Sequence, residues 1–62
     1  MTKLEKILKD KGIKQVWLAR EIRKSPAELN RWLKGKRKPS YENMRKIAKA
    51  LDASVEEIFF NE

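Results

Sequence analysis

The stretch Ser25-Pro26-Ala27-Glu28-Leu29-Asn30-Arg31-Trp32-Leu33-Lys34-Gly35 decides the fold, because it predicts one short helix with defined ends. Ser25 is a favourable N-cap, Pro26 suits the first helical position, and Glu28 completes a capping box. Gly35 supplies the left-handed residue with which helices commonly end. Both ends of the helix are therefore marked by local chemistry.

The two faces of this helix, which spans about residues 26–34, differ in character. Leu29, Trp32 and Leu33 recur at i, i+3 and i+4, which predicts a stripe that faces the core. The outward residues are Ala27, Arg31 and Lys34, with Asn30 on the flank. A small residue, an amide and two cations on one face are what a helix in the DNA major groove needs.

Composition limits the classes of function that the chain can have. Its 62 residues carry a net charge of +7, which favours a polyanionic partner, nucleic acid before an anionic membrane surface. The alternative is a lysine-rich surface that only aids solubility. Without cysteine or histidine the chain lacks disulfides and the usual zinc ligands, which suits a reducing cytoplasm. We expect a single domain that is not an enzyme, with no metal, cofactor, small-molecule ligand or membrane partner.

The N-terminal half predicts two more helices. Thr2-Lys3-Leu4-Glu5 is a capping box that starts helix 1 at about residue 3, and Gly12 ends it. Helix 2 runs from Lys14 or Gln15 to about residue 22. The turn that follows, Arg23-Lys24, contains no glycine, so one of the two is expected to adopt a positive φ at a cost of about 1 kcal/mol.

The C-terminal half predicts the last two helices. Ser40 caps helix 4, and Ser54-Val55-Glu56-Glu57 is a further capping box that opens a short helix 5 with Phe59 facing inward. No segment shows the period-two alternation of a strand. The chain is therefore expected to be a compact all-α domain of five helices.

The ordered set of motifs resembles the lambda-repressor/Cro-like (XRE-type) helix-turn-helix family over about residues 4–59. The matching motifs are Gln15-x-x-Leu18-Ala19, Ser25 after a turn, Lys34-Gly35, Lys36-Arg37-Lys38-Pro39-Ser40 and Ile47-Ala48-Lys49-Ala50-Leu51. The resemblance implies a small bacterial or phage transcription regulator, most simply a repressor, acting at the nucleoid. It also implies a homodimer on a palindromic operator, with helix 3 in the major groove.

Three departures from the family pattern change the expectations. Arg23 stands where the family usually has glycine, which makes the turn more basic and more strained. Pro26 stands where a polar side chain often reads a base. Leu8 and Leu33 occupy the positions of a buried arginine–glutamate pair, so we expect these two leucines to touch in the core.

The resemblance assigns DNA contacts to particular side chains. The predicted base contacts are Ala27, Asn30, Arg31 and Lys34. The predicted phosphate contacts lie around helix 3, at the start of helix 2 and at the start of helix 4: Gln15, Arg23, Lys24, Lys36, Arg37, Lys38, Ser40, Tyr41 and Asn43. The alternative for the helix face and for the basic loop is an ordinary solvated surface.

Two apolar segments are left outside the predicted core. Val16 and Trp17 lie on the outward side of helix 2, and Phe59-Phe60-Asn61-Glu62 leaves an apolar tail. The candidate dimer or partner surface therefore consists of Val16, Trp17, Phe59 and Phe60. They also support the alternative function, a protein-interaction module of the antitoxin or anti-repressor kind. For Trp17 the alternative is partial burial against the end of a neighbouring helix.

Overall fold

The computed structural model describes residues 2–60, in which helices are joined by short turns and loops and no strand occurs. The elements are α1 (Lys3–Lys11), α2 (Gln15–Glu21), α3 (Pro26–Leu33), α4 (Tyr41–Ala50) and a π-helix (Glu56–Phe60). The all-α prediction is confirmed, and the predicted helix starts agree to within about a residue.

Hydroxyl side chains begin three of the four α-helices. The hydroxyl oxygens of Thr2, Ser25 and Ser40 each accept a hydrogen bond from the backbone N–H three residues later, at 3.1–3.2 Å. The start of α2 differs, because its N-cap Lys14 makes no side-chain capping bond. Within residues 2–60, the reciprocal bond of a capping box forms only at Ser54, whose N–H donates to Glu57 Oε1 at 3.1 Å.

All four α-helices end in the same way, with one residue in the left-handed region. These residues are Gly12, Arg23, Gly35 and Asp52, with φ between 54° and 75°. At each end the next residue donates its N–H to a carbonyl five residues back, which is the Schellman arrangement. The predicted positive φ is confirmed at Arg23, where the left-handed conformation costs roughly 1–2 kcal/mol.

One hydrophobic core joins the helices. It contains the predicted inward residues of α3 together with leucines of α1 and α2 and aliphatic residues of α4. Leu8 and Leu33 are both buried, at 4% and 1% exposure, and line one shallow depression together. The structure thus places both side chains at one buried site, and their direct contact stays a prediction.

The C-terminal element differs from the predicted α-helix. It is a π-helix, which carries more residues per turn than an α-helix, so α-helical spacing does not describe its faces. Ile58 is buried as expected, but Phe59 is only half-buried and Phe60 is 54% exposed. The rest of the predicted tail, Asn61 and Glu62, lies outside the described residues.

Candidate nucleic-acid interface

The outward face of α3 is held in place by its inward face. Leu29, Trp32 and Leu33 are at most 5% exposed, so the rotation of the helix is fixed by the core. Ala27 and Arg31 are consequently exposed on the other side. The Arg31 side chain forms no hydrogen bond or ion pair with another of residues 2–60, so it is available to an external partner.

Asn30 lies beside the start of α2. It is half-buried and shares a shallow depression of about 380 Å³ with Gln15, Lys9 and Lys34. The structure therefore brings together residues from the two helices of the helix-turn-helix unit, and it adds Lys9, which the sequence argument missed. The only signal for Lys9 was its place in the basic last turn of α1.

Lys34 forms a salt bridge with a residue of α1. Its ammonium lies 2.6 Å from the Glu5 carboxylate, and their side chains are 49% and 24% exposed. The hydrogen bond from Lys34 holds the pKa of the Glu5 carboxyl below its usual value. A base contact by Lys34 would require this pair to open, and no sequence pattern predicted the pair.

Thr2 also connects the start of α1 to the end of α3. Its hydroxyl donates a hydrogen bond to the Leu33 carbonyl and accepts one from the Glu5 N–H. Its methyl group lies 3.4 Å from the position that a Cβ on Gly35 would take. The first turn of α1 therefore sets where α3 ends and where the basic loop begins.

The basic loop that follows α3, residues 36–38, is exposed. Lys36, Arg37 and Lys38 are all exposed, and the buried Pro39 anchors the loop before α4. The Lys38 ammonium lies 5.8 Å from the centre of the Phe60 ring, a cation–π contact. The loop thus places a predicted phosphate contact beside a predicted dimer residue.

The start of α4 continues the same surface. Tyr41 is 60% exposed, and Asn43 is half-buried. The Ser40 hydroxyl oxygen accepts the Asn43 N–H at 3.2 Å, so Ser40 is already a helix cap. Its hydroxyl hydrogen remains available as a donor.

Arg23 and Lys24 lie apart from the residues above, at the far end of α2 from Gln15. Arg23 is exposed and lines a groove with Trp17, while Lys24 is half-buried. The structure does not group them with the other predicted phosphate contacts, and their DNA contacts remain predictions.

Among the described residues there is no cluster of side chains that suits a metal ion. The helices found in this part of the chain are too short and too polar to cross a membrane.

A family model described as helix-turn-helix matches residues 4–58, most of the chain. This chain belongs to the lambda-repressor-like (XRE-type) helix-turn-helix family. The family is one of DNA-binding regulators and is not typically enzymatic, and its domain implies binding to double-stranded DNA. Searches of the curated proteins and of the solved structures returned no significant match.

Proposed function

We propose that this helix-turn-helix domain is a sequence-specific transcriptional repressor that reads double-stranded DNA with α3 in the major groove. The observation that carries the proposal is the two-sided character of α3, whose core face is buried while Ala27 and Arg31 are exposed. A bound domain excludes other proteins from the same stretch of groove, which is the simplest route to repression.

Each proposed base contact follows from donor and acceptor geometry. The Arg31 guanidinium suits O6 and N7 of guanine, and the Asn30 amide suits N6 and N7 of adenine. The Ala27 methyl is small enough to meet a thymine methyl. Lys34 joins these readers when DNA displaces its ammonium from Glu5.

The proposed backbone contacts flank the reading helix on both sides. Gln15 approaches a phosphate from the start of α2. On the other side the basic loop and the start of α4 supply cations and neutral donors: Lys36, Arg37, Lys38, Ser40, Tyr41 and Asn43. The net charge of +7 supports a strong dependence of binding on salt.

We propose further that the domain binds as a homodimer through Phe59 and Phe60. Phe60 is 54% exposed on a very small domain. A single module of this size makes a small footprint on DNA. A two-fold dimer doubles the footprint and reads palindromic half-sites about one helical turn apart.

Selection of bound sequences from random duplex DNA tests the function and the symmetry together. The expected result is a two-fold-symmetric consensus bound far more tightly than unrelated duplex, with an affinity that falls steeply as salt rises. Enrichment of no consensus would contradict sequence-specific recognition. An asymmetric consensus would contradict the palindromic operator.

Sedimentation over a range of concentrations, with and without the selected duplex, tests the dimer. Phe60 and Val16 are matched in exposure at 54% each. We expect Phe60→Ser to abolish the dimer and Val16→Ser to leave it intact. A wild-type chain that stays monomeric on DNA at high concentration would rule the dimer out. Loss of the dimer in Val16→Ser but not in Phe60→Ser would place the dimer interface on the surface of α2.

A further inference from the structure

An exposed tryptophan surrounded by cations lies between α2 and α4. Trp17 is 45% exposed and lines a groove of about 650 Å³, which we name the Trp17 groove. Its other residues combine three exposed cations with a small apolar base: Arg23, Lys46 and Lys49, with Ile22 and Ala50. An aromatic ring beside exposed cations is suited to a ligand that is both apolar and anionic.

Arg23 gives a second, independent reason to regard the groove as functional. Of the four left-handed residues that end the α-helices, two are glycine and one is aspartate, both of which tolerate this conformation. Arginine does not, and strained backbone of this kind clusters at functional sites. A glycine would relieve the strain but would remove the guanidinium from the groove.

We propose that the Trp17 groove docks an acidic segment of a partner protein. An apolar side chain of that segment covers the Trp17 ring, and its carboxylates pair with Arg23, Lys46 and Lys49. The guanidinium of Arg23 presents a planar fork that matches a carboxylate with two parallel hydrogen bonds. The charge complementarity of the groove therefore defines the chemistry of the occupant.

Duplex DNA fits the groove less well than a peptide does. The carboxylate of Glu21 also lines the groove, and a duplex brings a continuous row of phosphates that cannot avoid it. A peptide can place its charges singly on the three cations. The groove also contains none of the α3 residues proposed to read bases. The base-reading face of α3 is therefore not part of the groove, whereas Arg23 is shared with the predicted phosphate contacts.

Titration of the chain with a synthetic acidic peptide tests the proposal. The probe is a nine-residue peptide of aspartate and glutamate with one central leucine, and the control peptide has serine in place of the leucine. The readout is the indole N–H signals in a two-dimensional NMR spectrum. We expect a saturable shift of the Trp17 signal, while Trp32, which is 5% exposed, stays in place. The serine peptide should bind at least about threefold more weakly.

Three variants separate the groove from net charge and from unfolding. Arg23→Gly and Lys49→Glu should each weaken peptide binding by about threefold or more. Lys6→Glu, on an exposed site of α1, changes net charge as much as Lys49→Glu and should have little effect. Arg23→Gly relieves backbone strain, so weaker binding by this variant with an unchanged melting temperature or a higher one cannot be attributed to unfolding.

Four outcomes would overturn the proposal. They are the absence of a saturable Trp17 shift, equal binding of the leucine and serine peptides, and equal losses in Lys6→Glu and Lys49→Glu. The fourth is occupation of the groove by something else. A duplex oligonucleotide that shifts Trp17 before the α3 amides would make it a nucleic-acid contact, and a shift with chain concentration alone would assign it to a second copy of the chain.

Discussion

The ammonium of Lys34 lies 2.6 Å from the carboxylate of Glu5, which joins the end of α3 to the first turn of α1. The family pair that Leu8 and Leu33 replace has its cation on helix 1 and its acid on helix 3. The pair found here has the opposite polarity, lies at the surface, and uses the residue that follows Leu33. Here the two buried positions are apolar, and a separate exposed ion pair joins the same two elements.

Removing the charge of Glu5 should strengthen DNA binding. In Glu5→Gln the Lys34 ammonium loses its carboxylate partner and becomes free to contact DNA. We expect affinity for both selected and unrelated duplexes to rise by about twofold to fivefold, and the salt slope to steepen by about 0.9. Fluorescence anisotropy at several salt concentrations measures both quantities.

Glu56→Gln is the matched control, because it removes one exposed carboxylate from the π-helix. It should change affinity and slope much less than Glu5→Gln. Equal effects of the two variants would mean that only net charge matters. A change in the selected consensus at one base position would support the base contact proposed for Lys34.

The Glu5–Lys34 pair should also make stability depend on pH in the acid range. The pKa of Glu5 is lowered in the folded chain by the hydrogen bond from Lys34, so the folded state favours the charged carboxylate. Its contribution is present above the unfolded pKa, near 4.3, and is lost as pH falls through the folded pKa. Thermal melts of wild type and Glu5→Gln should differ at neutral pH and converge in acid. A difference that stays constant down to pH 2 would contradict the pairing.

Arg23→Gly should stabilise the domain. The left-handed arginine costs roughly 1–2 kcal/mol, and part of the gain is offset because glycine loses more chain entropy on folding. We expect a net increase of about 0.5–1 kcal/mol in the free energy of unfolding, measured in urea. Asp52→Gly at the end of α4 is the matched comparison, and it should gain less because aspartate tolerates this conformation. A loss of stability in Arg23→Gly would mean that its side-chain contacts outweigh the strain.

Leu8 and Leu33 should behave as a coupled pair. Leu8→Arg or Leu33→Glu alone buries an unpaired charge, at a cost of about 3–5 kcal/mol, which a domain of 62 residues cannot absorb. The double variant restores the oppositely charged pair and should recover a cooperative thermal transition that each single variant loses. Circular dichroism follows the transition. A double variant no more folded than the singles would place the two side chains out of reach of each other.

Arg31 and Arg37 should differ in how they affect DNA binding. Arg31→Ala should relax the consensus at one base position and cost about 1–3 kcal/mol on the selected duplex. Arg37→Ala should weaken binding to all sequences and flatten the salt slope by about 1. Identical, sequence-independent losses from the two variants would refute α3 as the reading helix.

Local signals in the sequence predicted the helices well. Capping hydroxyls marked three helix starts, and Gly12 and Gly35 marked two ends, because these contacts join residues only a few positions apart. The absence of glycine before Ser25 predicted a positive φ at Arg23 or Lys24. It did not predict which of the two residues would adopt that conformation. The left-handed Asp52 was missed, since an aspartate fits many turns without it.

Contacts between distant residues were not predictable in the same way. Glu5 and Lys34 are 29 positions apart, and an exposed glutamate or lysine at either position does not predict an ion-pair partner at the other. Trp17 was expected on the outward side of helix 2, but its grouping with Lys46 and Lys49 depends on how α2 packs against α4. The sequence therefore indicated which side chains are exposed, while the packing determined which of them share a surface.

Thr2 has a consequence for protein engineering. Its single hydroxyl caps α1 and also donates a hydrogen bond to the Leu33 carbonyl at the end of α3. The recognition helix α3 therefore cannot be exchanged between related domains without the residues at the start of α1 that hold its end. A specificity graft that transfers residues 26–34 without Thr2 and Glu5 would import a helix whose last turn has lost its hydrogen-bond partners, and its register on DNA would shift with the new host.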